Sequence, residues 1–319
     1  MFKRLTKKLL NILFQKSLPV PSKLELENLS EFRRSFSNLP TMEIKNVEAS
    51  EIAWIKNMNR LKDLAMHQNP RKFLRWDVIG NTMFIADAKY ILKELKYLKS
   101  LNDWEIRWRS AIKESFVGYP VPYKFHPQSS GSLIHYAYHI AQYEEKTRTM
   151  IQHMDFIFEF GGGYGGICKL FHKLGFQGKY LIFDLPHFSI LQNYYLKTHD
   201  FPMLTINEFN KSRQGVLCIS NKDVLKEIIM KHTQTNNKMF LATWSISETP
   251  VKIRNMIFPL VSDFHSFLIA YQDKFEEVNN LDFFSNWIKT MTHVTWHNEM
   301  INHIQGSNYL IGNIKKKLT

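Results

Sequence analysis

Two periodicities divide the chain. From residue 49 to about 115 the apolar positions recur at threes and fours. Ile52, Ile55, Met58, Leu61 and Leu64-Ala65 make one such face, and Ile85, Ala88, Leu92, Leu95 and Leu98 make another. That spacing predicts amphipathic helices. Tyr119-Pro120-Val121-Pro122 and His126-Pro127 interrupt the run, and a further helix is expected over about 132–149, carrying His135, Tyr136, Tyr138, His139 and Tyr143. From residue 155 the pattern changes to short apolar runs separated by helical stretches. Strands are expected at 155–160, 179–184, 215–220, 238–244 and 266–271, with helices near 164–174, 187–198, 222–232, 250–261 and 280–289. Two extended segments, 292–297 and 308–313, close the chain with no helix between them. Alternation of this kind argues for a parallel sheet covered by helices on both faces, and the closing pair for a hairpin.

The expected fold is therefore α/β: a Rossmann-like seven-stranded sheet, mostly parallel with one antiparallel strand, preceded by a helical region. Three parts are expected. Residues 1–48 form a basic amphipathic helix and a Pro-containing arm, of which 17–48 read as a linker or a loosely attached arm. Residues 49–150 form a helical lid or acceptor-binding region, and residues 151–319 the catalytic domain.

The strongest chemical signal follows the first strand, in Phe156-Ile157-Phe158-Glu159-Phe160-Gly161-Gly162-Gly163-Tyr164-Gly165-Gly166. Glycine takes positive φ freely and lets a ligand approach bare backbone. A helix beginning after the loop offers unpaired N–H groups. Gly161, Gly163 and Gly166 satisfy the dinucleotide pattern G-x-G-x-x-G; Gly161, Gly163 and Gly165 satisfy G-x-G-x-G, the usual loop of S-adenosylmethionine (SAM) methyltransferases. Glu159 favours the second. A carboxylate there attracts the cationic amino group of SAM and repels a pyrophosphate. The second strand ends in Asp184, placed to accept from ribose hydroxyls, a contact common to both cofactors.

Phe183-Asp184-Leu185-Pro186-His187 resembles the second-strand signature of small-molecule O-methyltransferases. Together with the glycine loop, Thr243-Trp244-Ser245-Ile246-Ser247-Glu248, His297-Asn298-Glu299 and Gly306-Ser307-Asn308-Tyr309-Leu310-Ile311-Gly312, the pattern over about 115–314 is similar to a bacterial sugar O-methyltransferase family. The resemblance implies SAM as cofactor, a sugar or glycan acceptor, and a role in surface polysaccharide or glycolipid assembly. It also implies cofactor contacts from Tyr164 and Leu185 beside Glu159, Gly161, Gly163, Gly165 and Asp184. Ligands of such sheets bind beyond the carboxyl ends of the strands, so Ser220 and Asn221 after the third strand join this set.

Methyl transfer to a weakly acidic hydroxyl needs a proton acceptor. Glu248, the first ionisable residue after the fourth strand, is one candidate; helix capping, with Ser247 as cap, is the alternative for it. His297 is the second, approaching from the closing hairpin. His126, Arg254 and Glu299 are candidates for holding the acceptor, Arg254 through its planar fork. His293-x3-His297-x5-His303 lies in an extended segment and does not read as a metal site. A magnesium ion held by carboxylates has no fixed spacing and stays open.

Composition changes the picture at the ends. The net charge is +13 over 319 residues, with Lys3, Arg4, Lys7, Lys8 and Lys16 at the start and Lys315-Lys316-Lys317 at the close. Phe2, Leu5, Leu9, Ile12 and Leu13 give residues 1–18 an apolar face, read either as peripheral contact with an anionic membrane or as a helix packed on the protein itself. A cytoplasmic location is expected, peripheral to the inner membrane on the first reading. Cys168 and Cys218 have no metal-ligand spacing and read as buried free thiols. Nucleic acid is disfavoured as a partner, because the basic residues cluster at the termini. A nicotinamide oxidoreductase, an RNA methyltransferase and a non-catalytic membrane-associated scaffold are the competing readings.

Overall fold

A computed structural model describes residues 18–44 and 49–314. The amphipathic segment 1–18 lies, but for Leu18, outside the described residues.

The centre is a seven-stranded sheet: β1 (Phe156–Phe160), β2 (Lys179–Phe183), β3 (Gly215–Ile219), β4 (Lys238–Thr243), β5 (Ser266–Gln272), β6 (Val294–Met300) and β7 (Ser307–Ile314). Their spatial order is β6-β7-β5-β4-β1-β2-β3. β1 pairs in parallel with both β2 and β4, whereas β7 runs antiparallel to both its neighbours, β6 and β5. This is the Rossmann-like seven-stranded, mostly parallel sheet expected from the alternation, closing hairpin included.

Period-two alternation separates two cores. Phe156, Phe158 and Phe160 face one side, with Phe209, Leu225, Ile257 and Phe284 from the helices that cover it. Those helices include α7 (Lys222–Lys231), α8 (Val251–Ile257) and α9 (Asn280–Ile288). Ile157, Tyr180, Ile182, Leu241 and Ile311 face the other side. The helices covering that side include α1 (Lys23–Ser37), α2 (Ala49–His67), α3 (Ile91–Ser100), α4 (Gly131–Thr147), α5 (Gly166–Lys173) and α6 (Pro186–Lys197). Phe32, Met58, Leu95 and Ile134 of the N-terminal helices share one continuous core with the sheet.

One expectation is corrected. The stretch read as linker contains α1, whose Phe32 and Phe36 are buried, with Phe32 packed 4.7 Å from the ring of Tyr194 in α6. Ser22 caps the helix by accepting from the N–H of Glu25. Among the described residues no helix is long and apolar enough to cross a membrane.

Candidate functional site

The glycine loop leaves β1 at the sheet's carboxyl edge. Gly161, Gly163 and Gly165 have φ of 71°, 57° and 89°, the left-handed region that disfavours a side chain. The N–H of Gly165 donates to Gly162 (2.8 Å), which closes the turn into α5.

Glu159 lies beneath this loop on the α4–α5 face of the sheet. It is 1% exposed, and its Oε2 accepts from the Tyr180 hydroxyl at 2.8 Å. Burial, more than any neighbour, pushes its carboxyl up to about 8. A β-carbon on Gly162 would come within 3.2 Å of that same oxygen, so carboxylate and loop are in contact. Asp184 closes the other side. Its Oδ2 accepts from the N–H of Gly163 (3.2 Å) and from Gln192 (2.7 Å), and its Oδ1 accepts from the N–H of Leu185 (2.7 Å). Burial raises it to about 7. A carboxylate oxygen can accept more than one hydrogen bond, so both retain capacity toward a ligand.

A third element completes the rim. Trp244, directly after β4, has φ of 61°, rare for a bulky residue, and its N–H donates to Ala270 in β5 (2.6 Å). Ser245 donates its hydroxyl to the carbonyl of Phe160. From the N-terminal region, Met83 lies over Gly163, its sulfur 3.6 Å from where a β-carbon would be. The chain beside Met83 is pinned to α4: Tyr136 donates to the Met83 carbonyl (3.2 Å), and Ser132 accepts from the N–H of Ile85 (2.7 Å).

The remaining expected residues divide. Ser220 and Asn221 are exposed beyond β3, with the Asn221 side-chain oxygen spent on capping α7. Tyr164 brings only its backbone to the loop. Its ring is 1% exposed, turned inward against Tyr195, Phe73 and Phe84. Arg254 is not free to hold an acceptor. It is wholly buried, and its three nitrogens donate to Thr249, Asn280 and Ser247 at 3.0, 2.6 and 2.6 Å. Ser247 caps nothing; its hydroxyl bonds Trp244 and Gln272, and Pro250 occupies the cap of α8. Glu248 is half-buried at the rim, and burial raises it to about 7.

His297 sits on β6, four strands from β1 and so roughly 20 Å away at the usual spacing. His126 lies on a small hairpin, its ring 5.9 Å from Trp104. Neither meets the glycine loop. Glu299, two residues beyond His297, does reach the carboxyl edge. There it pairs with Lys146 of α4 at 2.8 Å and lines a pocket of about 160 Å³ with Tyr138, Gln142, His303 and Tyr309. His303 faces Glu94 (2.8 Å) rather than His293 or His297, so the spaced histidines do not converge. Among the described residues no group of three or more His, Cys, Asp or Glu is disposed to hold a metal.

One grouping here was not expected from the sequence. Glu94, His135, His139, His303 and Tyr309 form one buried polar cluster beside Trp244. The spacing of His135 and His139 already placed both on one face of a predicted helix, but not what faced them.

No protein-family model matches the chain, and no curated protein matches it. Among solved structures, the chain is similar to a Podospora anserina methyltransferase bound to S-adenosylhomocysteine. The identity is 10%, with 87% of this chain and all (100%) of that one covered, at a TM-score of 0.36. It is similar also to a precorrin-6y C5,15-methyltransferase from Geobacter metallireducens, with 11% identity, 55% and 86% of the two chains covered, and a TM-score of 0.36. A third is fibrillarin, a pre-rRNA processing protein from Methanococcus jannaschii, with 8% identity, 52% and 69% covered, and a TM-score of 0.35.

Proposed function

We propose that this protein is a SAM-dependent O-methyltransferase acting on a sugar hydroxyl. The observation that carries the cofactor is Glu159: a carboxylate buried against a glycine loop, with no cation beside it in the described structure. Burial of a lone carboxylate is costly unless something compensates. The ammonium of a methionine moiety supplies that compensation; a pyrophosphate would add a second anion to it. Asp184, at the end of the second strand and bonded to the loop at Gly163, suits ribose hydroxyls.

When bound, SAM supplies an electrophilic methyl group on a sulfonium. The chain's share is then to orient the donor, bring the acceptor in line and remove a proton. The sugar acceptor, and with it a place in surface polysaccharide or glycolipid assembly, is supported by the resemblance of the Phe-Asp-Leu-Pro and closing segments. Titration calorimetry with SAM, S-adenosylhomocysteine and NADH tests the cofactor. Binding of the first two is expected; NADH binding without a SAM response overturns the reading.

A further inference from the structure

Helix α3 buries Ile91, Glu94, Leu95 and Leu98 and turns its other side outward. On that side Lys93, Lys96 and Lys99 are exposed, as is Lys89 just before the helix. Spacings of three and four set these ammonium groups in one stripe. Among the described residues no acid pairs with any of them. Glu94, the one acid of α3, is fully buried and faces inward to His135 and His303. The sequence put excess charge at the chain's two ends; the fold adds an unneutralised row within it.

The row runs on toward the small hairpin formed by Pro122–Tyr123 and His126–Ser130. Burial, and then the charges of Lys99 and Arg109, hold the His126 imidazole below its ordinary value, so both cations lie within electrostatic reach of the hairpin. At the hairpin tip Lys124 pairs with Asp87 at 3.1 Å, and its ammonium lies over the ring of Phe125, which is 54% exposed. Ile106, one turn before Arg109, is 85% exposed. A single exposed apolar side chain is ordinary. Two of them flanking a row of unpaired lysines are what an interfacial contact uses, with cations for the headgroups and apolar side chains for the acyl boundary.

We propose that this face, distinct from residues 1–18, docks on a membrane surface rich in anionic lipid. Lys89, Lys93, Lys96 and Lys99 lie over the headgroups, and Ile106 and Phe125 insert at the edge of the contact. Other partners fit the face less well. Protein interfaces favour arginine and leave lysine out, whereas here Arg107 and Arg109 are already taken by Glu144 and Glu105. Single-stranded nucleic acid stacks its bases on rings set among the cations, but Trp104 and Trp108 of the neighbouring segment are buried. Ammonium groups on flexible stems suit a fluid headgroup layer, which presents no fixed geometry to match. The proposal does not depend on the methyl-transfer reading.

The test is co-sedimentation of the full chain with vesicles of phosphatidylcholine, alone or mixed with phosphatidylglycerol. Wild type is expected to bind the mixed vesicles and to leave them as salt rises. Binding to neither, or equally to both, overturns the proposal. Lys93→Gln with Lys96→Gln is expected to lower partitioning roughly 25-fold, about fivefold for each lysine. The same changes at Lys222 and Lys226, exposed on α7, are expected to leave it within about twofold. All four lysines are exposed, so each variant is expected to fold. Undiminished affinity in the first variant overturns the face, since binding then resides elsewhere, residues 1–18 included. An equal loss in the second overturns it too, because net charge alone would then be what binds. Ile106→Ser with Phe125→Ser is expected to weaken binding without altering its salt dependence; unchanged binding overturns the insertion. Single-stranded RNA, followed by fluorescence anisotropy at the same salt, is the rival partner. RNA held through Lys93 and Lys96 by a protein that ignores the mixed vesicles overturns the membrane in favour of nucleic acid.

Discussion

Gly161 backs directly onto Ser245, leaving no room for a β-carbon between the glycine loop and the residue that follows Trp244. Two strand ends are thereby held together, since Ser245 also bonds the carbonyl just before the glycine. Gly161→Ala must both hold a β-carbon at φ 71° and push Ser245 away. The left-handed conformation costs about 1–2 kcal/mol and the overpacking about 1–3 kcal/mol. Urea denaturation should show a loss of roughly 2–5 kcal/mol, and SAM binding should fall with it. A variant as stable as wild type would mean that the two strand ends are free to part.

Glu159 and Asp184 give the protein a defined response to pH. Both carboxyls are raised by burial, to about 8 and about 7, from ordinary values of 4.5 and 3.8. Raised acids hold extra protons in the folded state, so their contribution is complete below the ordinary values. It is lost as pH rises through about 7 and about 8. The ligand-free melting temperature should therefore decline across that window. SAM, bringing a cation, should favour ionised Glu159 and release protons on binding near neutrality, measurable by calorimetry in buffers of different ionisation enthalpy. Glu159→Gln should abolish most of that release and weaken SAM by about 1.5–3 kcal/mol. Proton uptake in the wild type would contradict the proposed contact.

Lys169 of α5 is buried at 2% exposure and pairs with Glu114 at 3.1 Å, while Ser130 donates to the other oxygen of the same carboxylate. Glu114→Ala leaves a buried ammonium without its partner, for which a loss of about 3–5 kcal/mol in urea denaturation is expected. Lys169→Met together with Glu114→Leu should recover most of it. If the single variant cost less than about 1 kcal/mol, the pair would be behaving as a solvated surface bridge.

The sheet was legible because its first five strands are short apolar runs with helical stretches between them. The expected boundaries fall within a few residues of those observed. The meeting of glycine loop, Glu159 and Asp184 was legible for a related reason: all sit at strand ends, where topology alone fixes their neighbours. α1 was hidden by Pro19, Pro21 and Pro40, although Ser22 and Glu25 form a helix-start spacing that was there to be read. Arg254 and Tyr164 misled because residue type suggests exposure or contact, whereas their surroundings turned both inward. The convergence of the Glu94 cluster could not be read, although four of its members drew notice one by one. Its members lie 41 and 209 positions from Glu94, and only tertiary packing brings them together.

The position of β7 sets an order on assembly. Although last of the seven strands in sequence, it lies inside the sheet, between β6 and β5, and it carries the phenol that His139 bonds. Until residues beyond Ser307 have been synthesised and threaded into that gap, β5 keeps an open edge and the histidines lack their wall. Completion of this sheet thus waits on the last of its strands to be made, and a nascent chain stalled before Ser307 would carry the glycine loop on a sheet with β5 still at its edge.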